Sequence, residues 1–371
     1  MPDQETRVYQ IDALHPESAI IEEAASLLRA GQLVVFPTET VYGLGADALQ
    51  PEAVEQIFAA KGRPYSDPLI AHIADDEALA QLVSHVPDQA RLLAQAFWPG
   101  PLTLILPAGP RVPRLVTAGL ETIAVRMPRH PVALALIRAT GSPVAAPSAN
   151  RFMHVSPTTA QHALADLKGR VPLILDGGAC EVGVESTILD LCSETPTILR
   201  PGGVSLEALR AVLPAVQPPR RRQVRHTEAA VLGAAISAKR GHAPAAEEAQ
   251  KAPGQMLIHY APSIPAFLVE GPTETMRTTM LAEVQRRRAR GEEVGLLIAD
   301  EDLAAFQESG AHIYTLGKET EPEQVAARLF AGLRVLEEAG VQVILCRSFD
   351  EQGLGLAVHD RLLKATGGKV L

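Results

Sequence analysis

Two pairs of polar residues in this sequence combine the groups that a nucleoside triphosphate needs from its binding pocket. Lys61 and Arg63 are two cations separated by one glycine, and Ser148 and Asn150 are two short hydrogen-bonding side chains in Pro147-Ser148-Ala149-Asn150. Lysine offers phosphate a compact positive charge, and arginine can donate two parallel hydrogen bonds to one phosphate group. The two pairs therefore predict an enzyme that uses ATP.

Each pair lies where a predicted element ends. The pattern of residues 51–60 predicts a helix that begins at Pro51, and Gly62 suits its C-terminal cap. The small residues Val144–Ala146 predict a strand, so Ser148 and Asn150 follow a strand's end, where ligand sites of α/β proteins commonly lie. Both pairs also have a structural interpretation, since basic residues offset a helix dipole and a Ser-x-Asn sequence is often a turn.

Three further residues have two interpretations each. Ser156 precedes Pro157 in the pattern of an N-cap followed by proline at the first helical position, so we expect a helix to begin at Pro157. Ser156 either only caps this helix, or the helix N-terminus also helps to bind an anion. Arg126 and Arg200 each end a predicted strand, where a buried arginine is either a structural ion-pair partner or a ligand-binding cation.

Standard nucleotide-binding motifs are absent from the sequence. No Gly-x-x-x-x-Gly-Lys-Ser/Thr loop occurs, and Gly43-Leu44-Gly45 lacks the third glycine of the dinucleotide-binding fingerprint. If the chain binds ATP, residues outside these motifs must hold the phosphates.

The order of helical and strand patterns predicts an α/β protein with two domains, as the length of 371 residues suggests. Residues 5–213 predict a twisted, mixed sheet with flanking helices. Residues 214–259 are rich in Pro, Arg, Ala and Glu and predict a linker, which is either a tether or a segment that lies across the pocket. Residues 260–371 predict a smaller Rossmann-like α/β domain.

Composition and charge exclude several classes of protein. A formal net charge of -9 argues against a protein whose whole surface binds nucleic acid, and leaves room only for a local basic patch. The three cysteines contain no Cys-x-x-Cys pair, so neither a disulfide framework nor a zinc site is indicated. The acidic N-terminus and the lack of an apolar run of ~18 residues predict a cytoplasmic protein without a membrane span.

Six motifs occur in an order that resembles the threonylcarbamoyl-AMP synthase family, with its YrdC-type domain. They are Pro37-Thr38-Glu39-Thr40-Val41-Tyr42-Gly43-Leu44-Gly45, Lys61-x-Arg63, Trp98-Pro99-Gly100-Pro101-Leu102-Thr103, Arg126-Met127-Pro128, Ser148-x-Asn150 and Gly183–Thr187. The C-terminal part, with His259-Tyr260-Ala261-Pro262, is similar to the longer, two-domain branch of that family. The resemblance spans nearly the whole chain.

This resemblance implies an enzyme that joins L-threonine, bicarbonate and ATP, with Mg2+, into threonylcarbamoyl-AMP and pyrophosphate. The product would feed the downstream transfer machinery that modifies adenosine in tRNA. Lys61 and Arg63 would be catalytic, and the implied ATP-binding residues are Lys61, Arg63, Asp67, Ser148, Asn150, Ser156, Arg200 and Tyr260. The implied threonine-binding residues are Thr38, Thr40, His72, Arg126 and Ser186.

Two positions depart from the family's pattern. Asp67 stands where the family more often has asparagine, which places a negative charge close to the nucleotide loop. Met153 stands where glycine is usual, and a methionine would be strained there if the backbone φ is positive.

Two other functions stay open on the sequence alone. The first is a double-stranded RNA- or tRNA-binding module, since the predicted linker carries Arg220, Arg221, Arg222 and Arg225. As an enzyme, the chain would make at most a weak RNA contact. The second is carbamoyl-adenylate chemistry on an acceptor other than threonine.

Overall fold

The computed structural model describes residues 5–219, 250–254 and 260–371 of the chain. These residues form two compact units. The first contains residues 5–152, 156–219 and 250–254, and the second contains residues 153–155 and 260–371. The limits given above for the two domains and the linker stay a prediction. The arginines of the predicted linker, at positions 220–222 and 225, lie outside the described residues.

Ten strands of the first unit form one mixed sheet, in the order β1-β8-β2-β3-β7-β4-β6-β5-β9-β10. Parallel and antiparallel neighbours both occur, since β6 pairs in parallel with β4 and antiparallel with β5. The predicted mixed sheet is therefore confirmed. The strands are β1 Arg7–Gln10, β2 Val34–Phe36, β3 Gly43–Asp47, β4 Ile70–His72, β5 Leu102–Pro107, β6 Thr122–Arg126, β7 Val144–Ala145, β8 Leu173–Asp176, β9 Thr187–Asp190 and β10 Thr197–Arg200.

The helices of the first unit pack on both faces of this sheet. One face buries the larger core, to which α2, α4 and α6 contribute Ile57, Leu93 and Leu167. On the opposite face, apolar residues of α1 and α5 pack on Val34 and Val144. The helices are α1 Ser18–Arg29, α2 Pro51–Lys61, α3 Asp76–Leu82, α4 Asp88–Phe97, α5 Pro131–Thr140, α6 Ala160–Leu167 and α7 Leu206–Val212.

The strand register shows which side chains share that second face. His72 of β4 is paired with Val144 on one side and with Arg126 of β6 on the other. Residues paired in this way point to the same face of a sheet. The second face is therefore covered by α1 and α5 over one half and carries the buried polar residues His72 and Arg126 over the other half.

The segment Gly43-Leu44-Gly45 forms part of β3, a strand that the sequence patterns do not predict. Every residue of β3 is buried. A Cβ atom at Gly45 would lie 2.8 Å from Cε1 of Phe36 and 3.0 Å from Cγ1 of Val144. These glycines therefore allow close strand packing. The other unpredicted elements of this unit are β1 and α7.

The second unit has a four-stranded parallel sheet in the order β11-β14-β12-β13. A buried apolar cluster lies between this sheet and the helix that follows β11, and it includes Met276, Met280 and Leu296. The predicted smaller Rossmann-like fold is confirmed. Its elements are β11 Ala266–Val269, α8 Thr273–Arg288, β12 Val294–Ile298, α9 Leu303–Phe306, β13 His312–Thr315, α10 Pro322–Glu338, β14 Val343–Arg347 and α11 Gly355–Ala365.

No helix within residues 5–219, 250–254 and 260–371 combines the length and the apolar character that crossing a lipid bilayer requires.

Candidate active site

The ammonium group of Lys61 lies against the loop that contains Ser148 and Asn150. Lys61 is the last residue of α2, which ends because Gly62 adopts a left-handed conformation with φ of 66°. Its Nζ donates hydrogen bonds to the backbone oxygens of Ser148, at 2.6 Å, and Asn150, and lies 3.5 Å from Oδ1 of Asn150. The structure thus brings the two motif pairs together, although they are 87 residues apart in the chain.

Lys61 is almost fully buried, with 4% of its surface exposed. Burial, assisted by the nearby positive charge of Arg63, lowers the pKa of Lys61 well below its usual value. The three oxygens around Nζ match the three donors of an ammonium group. A bound phosphate would favour the charged form further, because an opposite charge stabilises the ionised state.

Arg63 forms a buried ion pair with Asp67, whose Oδ2 lies 3.0 Å from Nη2. The guanidinium also donates from Nε to the backbone oxygen of Asp67 and from Nη2 to that of Pro68, at 3.2 and 2.7 Å. Burial raises the pKa of Asp67, while the positive charges of Arg63, Lys61 and Arg200 oppose this rise. Three cations therefore act on the Asp67 carboxylate in this part of the molecule, and the Asp166 carboxylate also acts on Lys61.

Ser156 does not cap the helix that follows it, contrary to the prediction. Helix α6 begins at Ala160, and its N-cap is Thr159, whose side chain accepts a hydrogen bond from the backbone nitrogen of His162. The helix does not extend back to Pro157, because the backbone oxygen of Pro157 accepts a hydrogen bond from the backbone nitrogen of Tyr42, which lies outside the helix. The buried Ser156 hydroxyl instead donates to Oε1 of Glu185 at 2.5 Å.

Arg200 holds the segment around Ser186. Its Nη2 donates to the backbone oxygen of Ser186 at 2.9 Å and to the Ser186 hydroxyl at 3.2 Å, and its Nη1 lies 3.5 Å from the oxygen of Pro253. This approach requires glycine at position 202, where a Cβ atom would lie only 2.2 Å from the oxygen of Glu185. Arg200 therefore joins a predicted ATP contact to a predicted threonine contact.

Arg126 is the centre of a buried polar group on the second face of the sheet. Its Nη2 lies 2.7 Å from Oε1 of Glu39, its Nη1 donates to the Thr40 hydroxyl at 2.9 Å, and its Nε donates to the oxygen of Gly100 at 3.2 Å. The Thr38 and Thr40 hydroxyls lie 2.8 Å apart. Burial opposes the ionisation of Glu39, but the Arg126 guanidinium outweighs it and holds the pKa of Glu39 below its usual value.

A guanidinium has five N–H donors, and the hydrogen bonds to Thr40 and Gly100 use two of them. Within the described residues Nη2 is ion-paired with Glu39 but makes no hydrogen bond, so each terminal nitrogen keeps a donor for a ligand. Two parallel donors suit a carboxylate, so the geometry allows the amino-acid carboxylate to be bound as the sequence predicts.

His72 lies beside Arg126 in the register of the sheet and is almost fully buried. Burial and the positive charge of Arg126 lower the pKa of His72 to about 3. Its Nδ1 is 3.2 Å from the oxygen of Ile70. The imidazole is therefore neutral at physiological pH and can donate or accept one hydrogen bond without adding charge.

The structure also gives the backbone conformation of Met153 and the surroundings of Tyr260. Met153 has a φ of 69°, so the strain expected for a methionine at that position is present. Tyr260 belongs to the second unit, where its ring is 5.6 Å from that of Phe330 and 4.9 Å from the guanidinium of Arg361.

The structure adds residues that sequence reasoning did not select. Glu39, between the two selected threonines, is the buried partner of Arg126. Glu185 and Thr103 contact Ser156 and Ser186, respectively. All three lie inside the six motifs, and a carboxylate between two selected hydroxyl residues was the available signal for Glu39.

Comparisons with known proteins identify the family of this chain. A family model described as "Telomere recombination", for the Sua5, YciO and YrdC proteins, matches residues 26–202. The model of the threonylcarbamoyl-AMP synthase C-terminal domain matches residues 204–367. The threonylcarbamoyl-AMP synthase of Pyrococcus abyssi is 42% identical over 351 residues, which are 95% of each chain.

The chain belongs to the threonylcarbamoyl-AMP synthase family.

A further relative and a solved structure support the assignment. The threonylcarbamoyl-AMP synthase of Bacillus subtilis is 42% identical over 362 residues, which cover 97% of this chain and 96% of the relative. The crystal structure of P. abyssi Sua5 complexed with L-threonine has a TM-score of 0.86 and 40% identity, and the match covers 98% and 99% of the two chains. The predicted family and its two-part architecture are confirmed.

Proposed function

We propose that this chain synthesises threonylcarbamoyl-AMP from L-threonine, bicarbonate and ATP, for the threonylcarbamoyl modification of adenosine in tRNA. The observation that carries the proposal is the contact of the buried Lys61 ammonium with the Ser148–Asn150 loop, close to the Arg63–Asp67 pair. Cations in this arrangement can stabilise phosphate oxygens that gain charge during the reaction. The P. abyssi relative, described as a complex with L-threonine, supports the amino-acid substrate.

The reaction balances without a covalent enzyme intermediate. The threonine nitrogen attacks the carbon of bicarbonate, and water is lost as the carbamate forms. A carbamate oxygen then attacks the α-phosphorus of ATP, the bond to the bridging oxygen of the β-phosphate breaks, and pyrophosphate leaves. In such phosphorus chemistry the protein contributes mainly position and charge stabilisation.

The proposed roles follow from charge and hydrogen-bonding type. Lys61, Arg63 and Arg200 stabilise the charge on the α-phosphate and on the departing pyrophosphate. On the nucleotide side, the polar groups of Ser148, Asn150 and Ser156 complete the proposed contacts, and Asp67 holds Arg63. The contact of Tyr260 with ATP stays a prediction. Arg126 binds the threonine carboxylate, and hydroxyl groups or the neutral imidazole orient the amino acid through Thr38, Thr40, His72 and Ser186.

Magnesium is proposed to enter as part of the substrate MgATP. In residues 5–219, 250–254 and 260–371 no group of three His, Cys, Asp or Glu side chains is arranged to hold a metal ion. Mg2+ commonly keeps several waters and is held by substrate phosphates with one or two carboxylates. This mode needs no dedicated metal cage in the protein.

The partners of the reaction are part of the same proposal. The product is an activated carbamoyl group and must be consumed by a transfer enzyme that acts on tRNA, in the compartment where tRNA is modified. We propose the cytoplasm as that compartment. Threonine, rather than another amino acid, is proposed as the acceptor.

Substrate omission tests this function. Purified protein is incubated with threonine, bicarbonate and MgATP, and pyrophosphate release is followed in reactions that each lack one component. We expect release only when all three are present, and much slower release with serine in place of threonine. Release that does not depend on threonine, or that is faster with another amino acid, would contradict the proposal. Tight, salt-sensitive tRNA binding without ATP turnover would favour the RNA-binding alternative.

A further inference from the structure

Thr103 is a buried hydroxyl residue that no role above uses. It lies on β5 between two leucines of the main core, and its own side chain therefore points to the opposite, polar face of the sheet. On that face β5 is paired in parallel with β9, with Thr103 opposite Ile188. Thr103 is fully buried, and its Oγ1 lies 2.7 Å from the hydroxyl of Ser186.

A ligand oxygen would decide which of the two hydroxyls donates. Within the part of the chain that the structure describes, Ser186 is the partner of the Thr103 hydroxyl, and either hydroxyl can donate to the other. Without a ligand, each direction leaves one buried proton without an acceptor, which costs about 1–3 kcal/mol. A ligand oxygen beside Ser186 removes this cost only when Thr103 donates to Ser186 and Ser186 donates to the ligand.

The Ser186 oxygen then accepts two hydrogen bonds, one from Thr103 and one from Nη2 of Arg200 at 3.2 Å. A serine hydroxyl has two lone pairs and one proton. Both lone pairs are used in this arrangement, so the proton of Ser186 is left to donate to a further acceptor. Ser186 is 1% exposed, which excludes bulk water as the ready alternative.

We propose that Thr103 is a positioning residue that fixes Ser186 as a hydrogen-bond donor to an oxygen atom of the amino-acid substrate. The proposal rests on the function proposed above and adds a direction to the Ser186 contact. Thr103 itself does not touch the substrate. Its hydroxyl acts by donating to the Ser186 oxygen, so that the Ser186 proton is directed to the substrate and not to the Thr103 oxygen.

The test compares Thr103→Val, which has nearly the same shape without the hydroxyl, with Thr103→Ser, which keeps the hydroxyl. Threonine-dependent pyrophosphate release is measured against threonine at saturating ATP and against ATP at saturating threonine. For Thr103→Val we expect the KM for threonine to rise about 5- to 10-fold, as the loss of one oriented hydrogen bond predicts. The KM for ATP should change less than about twofold, and Thr103→Ser should restore the KM for threonine.

A double-mutant cycle separates this role from a packing role. In the Ser186→Ala background, Thr103→Val should leave the KM for threonine unchanged, because the group that it orients is gone. In the same Ser186→Ala background, Thr103→Val should also raise the melting temperature, because it removes a buried hydroxyl donor that has lost its acceptor.

Three results would overturn the proposal. They are an unchanged KM for threonine in Thr103→Val, an equal rise in both KM values, or an equal effect of Thr103→Val with and without the Ser186 hydroxyl. If Thr103→Val does not fold, Thr103→Ala replaces it in the same cycle. An active wild-type enzyme with an unaffected Thr103→Val variant refutes the role of Thr103 alone, whereas an inactive wild-type enzyme refutes the proposed function.

Discussion

Replacing Lys61 with methionine should separate catalysis from folding. The side chain keeps its length and loses its charge and its three donors. The hydrogen bonds from Nζ to the oxygens of Ser148 and Asn150 are each worth about 1 kcal/mol net, so their loss destabilises the fold by about 2 kcal/mol. Removing a buried ammonium relieves a desolvation penalty of similar or greater size. We therefore expect the melting temperature to change by only a few degrees.

The effect on the reaction should be far larger. A charge about 4 Å from a phosphate oxygen, at an effective dielectric constant of about 20, contributes about 4 kcal/mol. If that interaction is made mainly in the transition state, its loss lowers kcat/KM by about 10²- to 10³-fold.

Pyrophosphate release and thermal unfolding are measured on Lys61→Met and on a matched control, Lys168→Met, which removes an exposed lysine after α6. The control should keep both activity and stability. A folded Lys61→Met protein with activity within about threefold of the wild type would refute the role given to this ammonium group.

Three other predictions concern buried charges. Asp67→Asn keeps the side-chain shape and leaves Arg63 its bonds to two backbone oxygens, so removing the negative charge should lower the KM for ATP by about 3- to 10-fold; a raised KM in ATP titrations would contradict this. Arg126→Gln leaves Glu39 buried without its ion pair and should cost about 3–5 kcal/mol in urea unfolding, most of which Glu39→Gln should restore in the double variant. The pKa of His72 is lowered to about 3 in the folded state and is about 6.5 in the unfolded state, so the free energy of unfolding should fall as the pH drops below 6.5, by about 3 kcal/mol at pH 4. His72→Gln should flatten this fall, and an unchanged pH profile would show that His72 is not the cause.

The sequence predicted those features that depend on local pattern and spacing. The end of α2 at Lys61 follows from the left-handed preference of Gly62, and the sheet of the second unit follows from its regular alternation of elements. No local pattern predicts that Lys61 and Arg63 lie close to Ser148 and Asn150. That expectation came only from the hypothesis that both pairs belong to one nucleotide site.

The features that the sequence did not predict depend on contacts between distant residues. Ser156 and Pro157 have the pattern of a helix start, but a backbone hydrogen bond from Tyr42 to Pro157 delays the helix to Ala160. Gly43-Leu44-Gly45 gave no strand signal because two of its three residues are glycines. The structure explains these glycines by the close approach of Phe36 and Val144. No local pattern identifies such partners.

The most direct test of the central claim is mass spectrometry of the product made from threonine, ATP and 13C-labelled bicarbonate. We expect one new adenylate per pyrophosphate, which carries threonine and the labelled carbon and forms in the wild type but not in Lys61→Met. An adenylate that lacks the labelled carbon, or a labelled product that forms equally in Lys61→Met, would contradict the claim that Lys61 and the Ser148–Asn150 loop form the site of adenylate synthesis.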